Sequence, residues 1–508
     1  MSYHRKTRLW GISAGVLAAA TGLGLGQAAA AIIGGASPVI AVGNLVVDAA
    51  PGPVKDWAVR TLGAADKPVL LGTVVLVLAG IAAAVGVLGL RRRRAALTAA
   101  AILGLVGLAA SLADTATGQP WLIRALPALA SLAGSVGALY LLLRPLEPEA
   151  EAPAGFDRRR FLYTALAAGA VATTGGLLTW YPGSSAGENS RRAVRIPRPA
   201  SSAPPIPSGA QLDVKGISRF VTSNRDFYRV DTALTVPELD AATWRLRVHG
   251  MVDRELDLSF ADLLERRLIE RDVTLTCVSN EVGGRLVGNA RWIGVPVADL
   301  LKAAGVRAGA DAVKSTSADG MTIGTPLDVL TDDREAMLAV AMNGEPLPLT
   351  HGFPVRMVTP GLYGYVSATK WLVDLEVTRF ADFSAYWTDR GWAERAPIKT
   401  SSRIEVPKPL SEVAAGPVAV AGVAWAQTRG IERVEVQVDD GAWQRATLAA
   451  EHGVDTWRQW VWRWDATPGS HTLRVRATDG SGQTQTSRRA APRPDGSSGW
   501  HSVVVRVK

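Results

Sequence analysis

Among 508 residues there is one cysteine, Cys277. The chain therefore closes no disulfide within itself, and it cannot supply the CxxC pairs of a zinc or iron–sulfur site or the CxxCH of an attached haem. Whatever Cys277 does, it does without a second thiol. Histidine is nearly as scarce: His4, His249, His351, His452, His471 and His501 are the full set, and none falls inside an apolar run. A haem gripped by two histidines between membrane helices is thereby excluded.

The net charge of +9 suggests a nucleic-acid partner until it is located. Arg5, Lys6, Arg8, Arg91 to Arg94 and Arg158 to Arg160 supply ten positive charges beside apolar stretches, and the rest of the chain is close to neutral. That distribution is the bias of cytoplasmic loops toward Lys and Arg, so it reports membrane topology and not nucleic acid. Five stretches are apolar and about long enough to span a bilayer, which takes roughly 20 helical residues: 9–33, 69–90, 95–113, 121–143 and 161–181. With the N-terminal cluster cytoplasmic, alternation places every basic cluster on the same side and delivers the chain after Trp180 to the extracytoplasmic face. The segment Asp157-Arg158-Arg159-Arg160-Phe161-Leu162 resembles a twin-arginine export signal. The first four spans carry almost no ionisable residues, so they read as an anchor or docking surface in the lipid bilayer and not as an ion pathway. The stretch 34–67 reads as a loop at the outer interface.

From 183 to 207 the composition turns to Ser, Pro, Gly and Arg, which is the signature of an extended tether. Beyond it, Trp244-Arg245-Leu246-Arg247-Val248 and Val273-Thr274-Leu275-Thr276-Cys277 read as strands and 260–268 as a helix, the interleaving of a mixed α+β domain. After about Pro407 helical periodicity stops. Clean alternation at 433–438 and 471–476, broken by Asp439-Asp440-Gly441 and Asp479-Gly480, predicts a β-sandwich of immunoglobulin-like form. The tryptophans 457, 460, 462 and 464 are read as core packing. The expected architecture is a helical membrane domain (1–155), a fifth span with the export-like signal (156–182), a linker (183–215), an α+β domain (216–400) and a β-sandwich (407–508).

Cys277 ends an apolar strand and opens a polar, glycine-containing turn, Val278-Ser279-Asn280-Glu281-Val282-Gly283-Gly284. A thiolate is a soft ligand for a transition metal, and one protein ligand suffices if an organic cofactor supplies the others. Taken alone, a solitary cysteine is more often an inert packed residue.

Its surroundings point elsewhere. The blocks Asn224-Arg225-Asp226-Phe227-Tyr228-Arg229, Trp244 to Gly250, Thr274 to Asn280 and Trp292 to Leu301 resemble, in that order, the molybdopterin domain of the sulfite oxidase family. So do Asp319-Gly320, Met342 to Pro348, His351 to Arg356, Pro360-Gly361 and Lys370-Trp371, and the sandwich resembles that family's C-terminal dimerisation domain. The resemblance implies a sulfite-oxidase-type fold and a molybdenum–molybdopterin cofactor with Cys277 as the metal ligand. It places Asn224, Tyr228, Arg229, Ser279, His351, Arg356, Gly361 and Lys370 in segments that hold the cofactor, with Cys277, Arg229 and Trp392 as the catalytic set. Arg356 and Lys370 suit a phosphate through charge-assisted bonds, with His351 a further donor, and Gly361 suits close main-chain approach.

Two departures count against sulfite as the substrate: Glu281 falls where sulfite-oxidising members carry arginines, and Trp392 falls where they carry a tyrosine. The expected function is a membrane-anchored oxidoreductase that moves an oxygen atom to or from a small extracytoplasmic molecule, with direction open. Its electrons pass to or from a quinone-linked or haem-bearing partner, and a homodimer through the C-terminal domain is implied by the resemblance. The alternative is a membrane-tethered binding or assembly protein with the same fold and no turnover.

Overall fold

The computed structural model describes residues 2–33, 37–51, 54, 57, 61, 66–114, 121–146, 158–180 and 186–508. Contacts divide the chain into Met1–Ser184 with Thr232–Thr235, and Ser185–Asp231 with Val236–Lys508.

The first unit is helical: α1 (Ser2–Ile33), α2 (Pro38–Ala49), α3 (Asp66–Gly89), α4 (Arg93–Ala113), α5 (Trp121–Leu143) and α6 (Arg158–Trp180). Glycine lets these helices touch backbone to backbone, as membrane helices do in the absence of a hydrophobic drive between them. A Cβ on Gly15 of α1 would lie 1.9 Å from the Ala82 carbonyl oxygen of α3. Among the described residues four helical segments are long and apolar enough to cross a membrane: Arg8–Ile33, Lys67–Gly89, Arg93–Ala113 and Trp121–Leu146. The helix α6 forms where a fifth span is expected, but it is less apolar than those four and is not among them. The stretch 34–67, expected as a loop, contains the twelve-residue α2. Pro38 fixes its first turn, where a missing N–H has no cost. Asp157 of the export-like segment and the side chains of Arg5, Lys6 and Arg158 lie outside the described residues.

The second unit opens with α7 (Ala186–Ala193). The Pro- and Ser-rich stretch that follows runs without regular structure, but it is tied down. Ala200 N–H donates to Leu268 O at 2.8 Å and Glu270 N–H donates to Ser201 O at 2.8 Å. Two sheets follow, formed in part by β1 (Arg245–Gly250), β2 (Ile269–Thr276), β3 (Val287–Pro296), β4 (Met337–Met342), β5 (Arg356–Val358) and β6 (Leu372–Thr378). One sheet runs β2, β3, β4 and Glu345–Pro346, with β5 also on β4. The other runs Leu256–Ser259, β1, β6, Ala312–Ser317 and Thr322–Pro326, and only the β1–β6 pair is parallel. Between them lies one apolar core containing Leu246, Val273, Leu275, Trp292, Leu338, Val340 and Leu375, each at most 1 % exposed. The helix expected over 260–268 is shorter, Phe260–Leu264. Ser259 and Asp262 close a capping box at its start, and β2 begins at Ile269.

From Ser401 the chain forms a sandwich of a four-stranded and a five-stranded sheet. Trp460 and Trp464 sit in the core between them, and Trp457 in a third cluster with Phe220, Val278, Tyr363, Trp392 and Trp425, which spans both domains. The tryptophan row is therefore packing, as its apolar bulk favours.

Candidate active site

Strand β2 is buried along nearly its whole length, and Cys277 is the next residue, 8 % exposed. Its N–H donates to Leu286 O at 2.9 Å and its carbonyl accepts from Asn280 N–H at 3.0 Å, which closes the turn. Asn280, itself buried, accepts from Leu286 N–H on its Oδ1 at 2.8 Å. The sandwich braces this strand end from outside. Gln427 Nε2 donates to Thr274 O at 2.7 Å, Trp457 N–H donates to Thr274 Oγ1 at 2.8 Å, and Ser497 Oγ donates to Asn280 O at 2.7 Å. Burial pushes the Cys277 thiol up, while Ser279, through its N–H and hydroxyl, and the charge of Lys370 act the other way. The expected neighbour Ser279 thus favours the thiolate.

A second wall comes from residues 224–231. Phe227 stacks on Tyr228 (5.2 Å between ring centres) and meets Trp292 and His351 edge-on at 5.8 and 5.6 Å. Gly288 on β3 makes room, since a Cβ there would come within 2.9 Å of the Phe227 ring. Tyr228 lies against the cysteine strand, with its hydroxyl 4.0 Å from the Cβ position of Gly364 and the Thr276 carbonyl 3.9 Å from that same point. Burial raises the phenol far above its ordinary range, and the neighbouring Cys277 adds to the effect. His351 Nε2 donates to the Asn224 carbonyl at 2.8 Å, which fixes the proton there and leaves Nδ1 as the acceptor. Burial, with Arg356 and Lys370 nearby, holds this ring at about 4, so it is neutral at pH 7. The Asn224 amide is occupied by Met342 O, Glu345 and Asn343, so Asn224 reaches the cluster through its carbonyl.

The cations converge here too. Gly352 follows His351 at φ +109°, and a Cβ would lie 3.0 Å from Lys370 Cβ and 3.1 Å from Arg356 Cβ. Only glycine lets those two side chains start so close together. Arg356 is 5 % exposed, and no carboxylate pairs with it among the described residues. Its guanidinium reaches three carbonyls at the long end of bonding, Met357 at 3.5 Å, His351 at 3.3 Å and Ala368 at 3.4 Å, and lies 5.1 Å from the centre of the Trp292 ring. Burial lowers it from 12.5 to about 10. Burial likewise brings Lys370 down to about 8, against the pull of Asp231.

Asp231 is the residue that sequence reasoning missed. Its side chain is 2 % exposed, and Oδ2 accepts from Lys370 Nζ and from Arg229 Nε, each at 2.8 Å. The available signal was the Arg229-Val230-Asp231 spacing, which on extended backbone puts both side chains on one side. Two expected residues stand apart from the cations. Trp392 is 9 % exposed in the inter-domain cluster, 5.7 Å from the Tyr365 ring and 6.4 Å from Trp387. Gly361, at φ +83°, faces Thr428 and Arg334. Among the described residues no three His, Cys, Asp or Glu side chains are placed to hold a metal ion together.

The domain that carries these residues has known relatives. The family profile of the oxidoreductase molybdopterin binding domain matches residues 233–387. The mitochondrial sulfite oxidase of Mus musculus is 32% identical over 373 residues, covering 62% of this chain and 66% of that protein. The uncharacterized oxidoreductase YuiH of Bacillus subtilis is 36% identical over 156 residues, 31% of this chain and 75% of its own length. The chain spans no more than two thirds of the mammalian sulfite oxidases it matches. Among solved structures, the sulfane dehydrogenase SoxCD of Paracoccus pantotrophus shares the fold, with a TM-score of 0.50 and 23% identity over 57% of this chain and 83% of that one. By sequence and by fold, the chain belongs to the sulfite oxidase family of molybdopterin-dependent oxidoreductases.

Proposed function

We propose that this protein is a membrane-anchored oxidoreductase that carries out two-electron oxygen-atom transfer on a small extracytoplasmic molecule at Cys277. The observation that carries the reading is the buried, carboxylate-free guanidinium of Arg356 beside Lys370 and the sole thiol. A buried cation without a counter-charge is costly, and the cost is met when an anion binds. The donor set fits the family's cofactor: Arg356 and Lys370 suit the pterin phosphate, Nδ1 of the neutral His351 and the Tyr228 hydroxyl suit the ring system, and Cys277 suits the metal. When bound, the molybdenum cofactor would supply the two-electron redox chemistry of oxygen-atom transfer.

The chain's own residues supply position. The turn at Ser279 and Asn280 holds the sulfur in place, Phe227 and Trp292 set the wall, and the packed rings keep bulk water from the cysteine strand. Arg229 and Trp392 belong to the catalytic set in this reading, Trp392 as the apolar replacement for a tyrosine and Arg229 as the more exposed cation. Gly361 acts by holding the loop that carries Tyr363 and Gly364.

The topology rests on the basic clusters: five spans, α6 as the fifth behind the twin-arginine-like segment, with the catalytic unit outside. Electrons leave or arrive through a quinone-linked or haem-bearing partner at the membrane helices. The sandwich is read as immunoglobulin-like and as a dimerisation domain. A folded shell without turnover is disfavoured, since it gives no reason to retain a buried, uncompensated Arg356.

The test is cofactor content and turnover. Full-length protein purified in detergent is expected to carry one molybdenum and one pterin per chain, and Cys277→Ser to lose dye-coupled turnover while remaining folded in the membrane. A folded wild type without molybdenum and pterin, or a serine variant with wild-type turnover, would sink the proposal.

A further inference from the structure

The charges around the cysteine are few enough to count. On the side of Lys370 three cations, Arg229, Arg356 and Lys370, stand with one anion, Asp231, because His351 is neutral; on the side of Tyr363 the charges pair off, Lys399 with Asp495 and Arg429 with Asp479. Arg356 is 5 % exposed and the Lys370 side chain 10 %, whereas the Arg229 side chain is 35 % exposed. Arg229 is therefore the cation that an incoming molecule meets. It is already engaged: Nε donates to Asp231 Oδ2 at 2.8 Å, and the Nη2 nitrogen reaches Oδ1 at 3.4 Å. A carboxylate held on both its oxygens by a guanidinium is the geometry of a strong pair, and Asp231 is itself fixed by its bond to Lys370.

A pterin phosphate brings about two negative charges at neutral pH. Set against the three cations together with Asp231, it closes the count and leaves no positive charge over. On the turn after Cys277, the exposed residues Glu281 and Arg285 are of opposite sign and add nothing net. We infer that the substrate is an uncharged molecule, such as a neutral S- or N-oxo compound or its deoxygenated partner, and that Asp231 sets this preference by occupying Arg229. The inference rests on the function proposed above, and it separates this chain from an enzyme built to gather an oxyanion. Sites that concentrate anions do so with uncompensated positive potential, and their rates fall steeply with salt.

The experiment uses the molybdenum-loaded full-length protein, with sulfite as an anionic donor to ferricyanide and sulfate as a competing anion, across ionic strengths. For the wild type, kcat/KM for sulfite is expected to be low and to change less than twofold between about 20 and 200 mM salt, with sulfate inhibiting only weakly. Asp231→Asn is expected to tighten sulfate inhibition at least tenfold and to make it salt-dependent, while Asp231→Glu keeps the wild-type response. A loaded wild type that binds sulfate tightly, or whose sulfite kcat/KM collapses with salt, overturns the inference and leaves the proposed function standing. So does a loaded Asp231→Asn protein with unchanged anion affinity. Should Asp231→Asn fail to load, the wild-type salt dependence decides alone. A wild type without molybdenum overturns both.

Discussion

Arg356 offers a test of whether a buried charge is kept for the fold or for a ligand. Burial lowers its guanidinium from 12.5 to about 10. A tenfold change in a proton equilibrium is about 1.4 kcal/mol, so keeping this group charged costs the fold about 3 kcal/mol relative to the unfolded chain. The sign follows from linkage. A cation with a depressed folded pKa carries its full penalty at any pH below about 10, and the penalty lifts only between 10 and 12.5. The stacking on Trp292 returns about 1 kcal/mol, and the three long carbonyl bonds little. Arg356→Met keeps the length of the side chain and removes the charge. In protein expressed without cofactor synthesis, the variant is expected to be more stable than wild type at pH 7 by about 1–2 kcal/mol. In protein expressed with it, molybdenum and pterin content is expected to fall to background. Denaturant melts followed by tryptophan fluorescence suit the measurement, because twelve of the sixteen tryptophans lie at or beyond Trp244. A cofactor-free variant less stable than wild type by about 2 kcal/mol, the size of a lost buried hydrogen-bonded group, would show that Arg356 is structural and refute the reasoning.

Gly352→Ala forces an L residue to φ +109° with its Cβ 3.0 Å from Lys370. The expected loss is about 2 kcal/mol of stability together with weakened cofactor retention, read by melting and by molybdenum content; full retention would place the two cations elsewhere. His351 and His501 are both held by burial at about 4, below their ordinary 6.5. An unfolded chain takes up their protons as pH falls through 6.5, the folded chain only near 4, so stability is full above 6.5 and drains away between 6.5 and 4, by about 3 kcal/mol for each ring. His501→Gln is expected to flatten its share of that acid slope in paired denaturant titrations at pH 7 and 4.5. Identical slopes in variant and wild type would contradict the burial assignment.

Much of the site was legible because it is written locally. Cys277 and Ser279 share one turn, His351, Gly352 and Arg356 one short loop, and Tyr228 and Arg229 one segment, so block order alone brought most of them together. What escaped reading was pairing across the chain. Asp231 finds Lys370 139 positions away, and Gln427 finds Thr274 at a distance of 153. No periodicity carries that information, because it depends on which strands become neighbours. Strand periodicity located the sandwich, where alternation and burial coincide, as in His501–Val507; it also located β2, although that strand is buried on both faces. The helix at Phe260 was read four residues too long because Glu265 to Leu268 has helical composition, while the chain is turning toward β2. The stretch 34–67 was read as loop on its prolines and glycines, yet Pro38 opens a helix because proline is tolerated in a first turn.

Strand β2 takes hydrogen bonds from Gln427 and Trp457, and the turn after Cys277 takes one from Ser497, all three in the C-terminal sandwich. A module that looks like an appendage is therefore part of the mould in which the sulfur is cast. Exchange of the sandwich for another of similar outline would remove the bonds that fix Thr274 and Asn280 on either side of the thiol.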